Sequence, residues 1–320
     1  MTNEIEIQAN KTITRLEFEE LSSVPPENEW FANIINKNTR RAYKKDVLEL
    51  FKFLGLDSSD ELRDVNRAHI IAWRRYLSDR ELAAATIRRK LASVSALYQY
   101  LCEKNAVLDN PVHGVSRPNE GSNEGNTPAL GVEQVRRLLD SPDDTTLKGR
   151  RDKAILAVLV YHALRREELC SIKVGDRHTR EGMNHFRIRG KGSKLRFVPV
   201  HPKANRLIDE YRADIGGEDP DEPLFIRVRG DLSKIRSIHM SPDSIYAIVK
   251  EYGLKTGLDL ELNGLSPHMM RATAATNALS NHSDITEVQT WLGHSSIATT
   301  KKYDRRESKP EDSPTFKLKY

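Results

Sequence analysis

The chain has 320 residues, of which 38% are apolar and 30% charged, and it contains two cysteines. That balance supports a folded core in two or three domains. It excludes a disulfide-stapled scaffold and a four-cysteine zinc site, and no run approaches the ~20 apolar residues that span a bilayer. The net charge of +5 is uneven: residues 1–36 carry −5, residues 37–120 carry +5 and residues 121–320 carry +5. A basic body behind an acidic leader favours a polyanionic partner. The opening MTNEIEIQAN lacks the apolar segment of a secretory signal, and the expected location is cytoplasmic.

Residues 1–36, with Pro25-Pro26 and little periodicity, are expected to form a flexible leader. In KNTRRAYKKDVLELFKFLGL, residues Tyr43, Val47, Phe51 and Leu54 recur at helical spacing, with Thr39 as the expected N-cap and Arg40, Arg41, Lys44 and Lys45 opposite. Further helices are predicted near 69–77 and 86–103. The latter turns Ile87, Leu91, Val94, Tyr98 and Leu101 inward and leaves Arg88, Arg89 and Lys90 elsewhere. Residues 37–115 thus read as a helical bundle. The stretch SRPNEGSNEGNTP makes 116–128 a linker. A second domain, 129–307, is predicted to hold helices near 132–139, 152–169, 203–211, 242–252, 268–278, 285–292 and 297–303. Two short strands, HFRIRG and LRFVPV, flank GKGSK as a hairpin. Residues 308–320 form a polar tail ending in Phe316, Leu318 and Tyr320. The fold class is mainly α with a small β-sheet, in two domains able to clamp a cylinder such as duplex DNA.

No Walker A, dinucleotide-fold, HExxH or GxSxG signature is present, and no carboxylates cluster to hold magnesium. The remaining candidates are Arg165 in ALRREEL, Lys191 in RGKGSK, His268 and Arg271 in SPHMMRATAA, His294 in WLGHSS, and Tyr303. Each alone has an ordinary reading: an exposed ion pair, a solvated turn lysine, a helix face, a helix cap, a packed aromatic.

Together, and in this order, they resemble the catalytic domain of the tyrosine recombinases, the family of phage integrases, Xer proteins and Cre. The resemblance rests on Ala163-Leu164-Arg165-Arg166-Glu167-Glu168-Leu169, on Gly190-Lys191-Gly192-Ser193-Lys194 followed by Arg196, Val198 and Pro199, on His268-Met269-Met270-Arg271, on Leu292-Gly293-His294-Ser295-Ser296, and on Tyr303 nine residues past His294. It spans about 129–307, and residues 37–115 are similar to the family's core-binding domain. Ala163 stands where glycine is common, Met270 where leucine is, and Ala272 where histidine often follows the second arginine.

The resemblance implies a site-specific recombinase that cleaves and rejoins DNA through a 3′-phosphotyrosine on Tyr303. Arg165 and Arg271 would clamp the phosphate, because planar guanidinium forks match its non-bridging oxygens. Glu168 would orient Arg165, His268 would serve as the base, Lys191 would protonate the leaving 5′-oxygen, and His294 would hydrogen-bond the phosphate. No metal and no cofactor are expected. The expected partner is double-stranded DNA with inverted-repeat sites, bound as a homo-tetramer in the synapse and as a monomer or weak dimer off DNA. Thr39, Arg40, Lys44, Arg88, Arg89 and Lys90 are the expected DNA contacts of the first domain. Two rival expectations are a type IB-like topoisomerase and a catalytically inactive DNA-binding regulator.

Overall fold

The computed structural model describes residues 24–119, 127–190, 194–216, 219–228 and 238–306. The chain divides into two compact units, Met1–Ser122 and Asn123–Tyr320, each with its own core. No helix among the described residues is long and apolar enough to cross a membrane.

The first unit is helical: α1 (Pro26–Asn33), α2 (Lys37–Leu54), a 3₁₀ turn (Ser59–Asp64), α3 (Arg67–Asp79) and α4 (Ala84–Glu103). The spine is α4, whose predicted inward residues Ile87, Leu91, Val94, Tyr98 and Leu101 are all buried. Helix α1 corrects the expected flexible leader between residues 26 and 33. Proline at its first turn presets the backbone, and Trp30 is buried and stacks on Tyr43 with ring centroids 5.8 Å apart. Two turns carrying only the adjacent aromatics Trp30 and Phe31 are too short to show periodicity. The cap of α2 is also corrected. Asn36 accepts from the backbone N–H groups of Asn38 and Thr39, both at 3.0 Å, so Thr39 is capped rather than capping.

The second unit contains α5 (Val132–Asp140), α6 (Leu147–His162), α7 (Arg166–Ser171), β1 (Arg177–Arg180), β2 (Met183–Arg189), β3 (Leu195–Pro199), α8 (Pro202–Ile215), α9 (Pro242–Lys255), α10 (Leu258–Glu261), α11 (Pro267–Ser280), α12 (Ile285–Leu292) and α13 (Ile297–Lys301). Helix α6 is apolar on every side from Ala154 to Val160 and lies at the centre, packed against α8 and α11. The single helix predicted over 152–169 is broken instead. Ala163 takes φ 51° and ψ 31°, ending α6, and Arg165 becomes the N-cap of α7. Among the described residues the sheet has three antiparallel strands in the order β1-β2-β3, one more than predicted. Strand β1 is the polar tetrapeptide RHTR, which carries no hydrophobic alternation. It joins β2 through Glu181 and Gly182, both at positive φ, as a two-residue hairpin turn requires. Phe186, Ile188 and Val198 face the core. Helix α13 stops at Lys301, so Tyr303 sits just beyond a helix rather than within it.

Candidate active site

Three backbone breaks bring the candidate residues to one cleft. The left-handed turn at Ala163 redirects the chain so that Arg165 opens α7. Ser266 caps α11 and Pro267 begins it, placing His268 and Arg271 one turn apart on the same face. Gly293, at φ 67°, ends α12 and turns the chain into His294.

Two adjoining cavities of about 400 and 500 Å3 share Arg165, His294 and Thr299 in their walls. The larger is also lined by His268, Arg271 and Tyr303, and the smaller by Gly190, Lys194 and Arg196. Five of the six predicted catalytic residues therefore meet around one cleft. Lys191 lies outside the described residues, between Gly190 and Lys194.

Arg271 is 3% exposed. It donates to the carbonyl oxygens of Ala163 and Leu292, the latter at 2.6 Å, and to Nε2 of His294 at 3.0 Å. Burial, and then the nearby Arg165, lower its pKa, yet guanidinium basicity leaves it cationic at neutral pH. His294 also pairs through Nδ1 with Thr300 Oγ1 at 2.9 Å. Burial and the cations Arg271 and Arg165 pull its pKa down to about 4, so it is neutral. Its Nε2 thus accepts from Arg271.

Tyr303 is 6% exposed, with its ring centroid 6.0 Å from that of His294 and 6.4 Å from that of His268. Burial raises its phenol pKa, and Arg271 and Arg165 oppose the rise. The phenol is therefore protonated at neutral pH. His268, at the cleft wall, has its pKa lowered by desolvation, Arg271 and Arg165, which keeps its imidazole in the proton-accepting form.

Glu168 is 5% exposed and accepts from Arg165 Nη1 at 2.8 Å and from the Arg165 backbone N–H at 2.9 Å. It also receives both ends of the Arg196 fork, at 3.0 and 2.8 Å. Burial pushes its carboxyl up, but the two arginines outweigh this and hold it below the usual carboxylate range. Among the described residues no group of three or more His, Cys, Asp or Glu is placed to hold a metal ion.

The profile described as the Phage integrase family matches residues 129–309, and that described as Phage integrase, N-terminal SAM-like domain matches residues 30–105. This chain belongs to the phage integrase family. A tyrosine recombinase XerC of Pelobacter propionicus is 30% identical over 272 residues, which cover 84% of this chain and 85% of that protein. A tyrosine recombinase XerC of Myxococcus xanthus is 33% identical over 273 residues, covering 83% and 86%. Among solved structures, a lambda integrase dimer bound to a COC′ core site superposes with a TM-score of 0.68 at 17% identity, covering 96% of this chain and 87% of that one. XerH bound to palindromic difH superposes with a TM-score of 0.66 at 20% identity, covering 82% and 75%. The likeness to both structures is one of fold. The protein is a site-specific tyrosine recombinase, and neither the topoisomerase nor the inactive-regulator expectation is supported.

In the first unit of this recombinase the predicted DNA contacts separate. Lys44 is exposed on α2. Thr39 is partly buried, and Arg88 is partly buried and donates to the Pro118 carbonyl at 3.3 Å. Arg40 donates to the carbonyls of Ile34, at 2.9 and 2.6 Å, and Ala32, closing the end of α1. Arg89 pairs with Asp46. Lys90 is a correction: it is 6% exposed and holds Asp46 at 3.2 Å and Glu49 at 2.5 Å, so it is a buried structural cation. The charge run on α4 wraps around the helix, and periodicity alone does not show that Asp46 lies opposite. Arg196 is the site residue whose part the sequence did not reveal. Its position after the Gly-rich hairpin was legible, but its pairing with Glu168, 28 residues away in sequence, was not.

Proposed function

We propose that Tyr303 attacks a DNA phosphodiester, forming a 3′-phosphotyrosine and releasing a 5′-hydroxyl, and that a 5′-hydroxyl of another strand reverses the step to give recombinant DNA. Phosphodiester and phosphotyrosine are close in bond energy, so neither ATP nor a redox partner enters the balance. Arg165 and Arg271 clamp the non-bridging oxygens, where negative charge grows in the transition state. Glu168 orients Arg165, and His268 accepts the phenol proton. Lys191 supplies the proton to the leaving 5′-oxygen. His294 donates to the phosphate once Arg271 turns its Nη2 onto it and the ring proton moves from Nδ1 to the freed Nε2, with Nδ1 then accepting from the Thr300 hydroxyl. The observation carrying this reading is the convergence of Arg165, His268, Arg271 and His294 on the cavity that Tyr303 lines.

Duplex DNA with inverted-repeat sites is the substrate, bound by a homo-tetramer in the synapse and by a monomer or weak dimer before it. Residues 37–115 act as the core-binding domain, 129–307 as the catalytic domain, 116–128 as the strap and 308–320 as a tail serving neighbouring protomers. The cytoplasm is the working location. The test is a duplex selected from a randomised pool by binding to the protein, then nicked at successive positions so that the cleaved 5′-hydroxyl fragment diffuses away. Wild type should accumulate an SDS-resistant adduct, and Tyr303→Phe should bind the duplex equally and form none. Equal adduct from both proteins contradicts the reading.

A further inference from the structure

One buried carboxylate serves two arginines in this site. The Arg196 fork takes both oxygens of Glu168, and its Nε donates to the Trp291 carbonyl at 3.1 Å. Its side chain is 13% exposed, against 36% for Arg165, which shares the same carboxylate. One glycine leaves room for it: a Cβ on Gly293 would stand 3.2 Å from Arg196 Nη1, tighter than an ordinary contact. Arg196 thereby ties β3, the hairpin base and the end of α12 to the start of α7.

The charge count matters more than the tether. With Glu168 and Arg165 alone, the carboxylate would cancel the charge that Arg165 offers a phosphate and would draw its guanidinium inward. A second, more buried guanidinium neutralises Glu168, so the group of three keeps one net positive charge, carried by the arginine that faces the cleft.

We propose that Arg196 is a positioning residue for the phosphoryl transfer: through Glu168 it holds the Arg165 guanidinium in place and keeps its positive charge available to the scissile phosphate. This rests on Arg165 being a phosphate clamp, as argued above. Arg196 acts on the chemical step and not on the hold of the protein on DNA.

The experiment measures adduct formation by the full chain on the nicked, selected duplex at saturating protein, with the Kd for the intact duplex and the melting temperature measured alongside. Arg196→Ala should form adduct at least tenfold more slowly while the Kd moves less than threefold. Arg196→Lys should fall between Arg196→Ala and wild type. The decisive comparison adds Glu168→Gln to Arg196→Ala. Removing the uncompensated carboxylate should raise the rate at least threefold above Arg196→Ala alone, whereas a purely structural part for Arg196 predicts a further fall. The proposal is overturned if Arg196→Ala stays within twofold of wild type, or if the added Glu168→Gln leaves the rate unchanged or lowers it. Arg196→Gln carries the same comparison if Arg196→Ala does not fold. Arg165→Ala separates the two levels: wild-type rates from that variant overturn the clamp reading itself.

Discussion

Arg271 and His294 meet at 3.0 Å, guanidinium Nη2 against imidazole Nε2. A guanidinium only donates, so Nε2 accepts, and the ring proton sits on Nδ1, 2.9 Å from Thr300 Oγ1. One buried arginine thereby fixes the tautomer of a histidine on another element, and Thr300 couples that ring to the segment carrying Tyr303.

Arg271 is consequently structural as well as electrostatic. Its loss leaves the carbonyls of Ala163 and Leu292 without their donor in a buried setting. Arg271→Ala should destabilise the second unit by about 2–4 kcal/mol, from two unsatisfied acceptors at about 1–3 kcal/mol each with partial relaxation. Chemical denaturation checks this. A loss below about 0.5 kcal/mol contradicts the arrangement.

Ala163 is the position where glycine was the expected residue, and its φ of 51° shows why. A non-glycine residue in the left-handed region costs about 1–2 kcal/mol, while deleting a buried methyl group costs about 0.8 kcal/mol. The two nearly offset, so Ala163→Gly should change stability by less than about 1 kcal/mol. Ala163→Val adds β-branching at positive φ in a fully buried place, and should cost more than about 2 kcal/mol and slow adduct formation by displacing Arg165. Denaturation midpoints of the two variants make the comparison.

His162 and His294 set a pH dependence of stability. Burial pulls each pKa down to about 4 from the ordinary 6.5. His162 is 1% exposed, and its Nε2 accepts from the His201 N–H at 2.9 Å, leaving no room for a second proton. Between about pH 6.5 and 4 the unfolded chain binds more protons than the native one, so stability rises with pH across that window and is lost as pH falls through it. His162, the more buried, should account for about 1–3 kcal/mol, and the partly exposed His294 for less because water screens it. Native-state NMR should show the His162 ring untitrated at pH 5.5. A midpoint near 6.5 contradicts this account.

Lys44 and Lys90 should separate by salt. Lys44 is exposed, so Lys44→Gln should weaken DNA binding and reduce the slope of log K against log salt by about 0.9 if one phosphate contact is lost. Lys90→Gln should leave that slope unchanged and instead lower stability by about 3 kcal/mol, since Asp46 loses a buried partner. Gel shifts at several salt concentrations distinguish the two lysines.

Much of this architecture was legible because the elements are periodic and locally capped. The inward face of α4 was read directly, as was the interval from His294 to Tyr303. What escaped depends on pairings distant in sequence or on single backbone angles. The break at Ala163 hides within a continuous apolar and basic pattern that reads as one helix. Strand β1 exists because β2 pairs with it, its own side chains being polar. Lys90 looks like a surface charge until Asp46 and Glu49 are brought onto it from α2. Arg196 has no sequence neighbour that betrays Glu168. Lys191 and the residues Phe316, Leu318 and Tyr320 lie outside the described residues.

Tyr303 is the proposed nucleophile, its phenol oxygen forming the bond to the DNA phosphorus. Digesting the trapped protein–DNA adduct and sequencing the nucleotide-bearing peptide by mass spectrometry tests it most directly. The phosphate should be found on the Tyr303 oxygen, esterified to the 3′ side of the cleaved strand. A modified peptide centred on any other residue, or a 5′ linkage, contradicts the account.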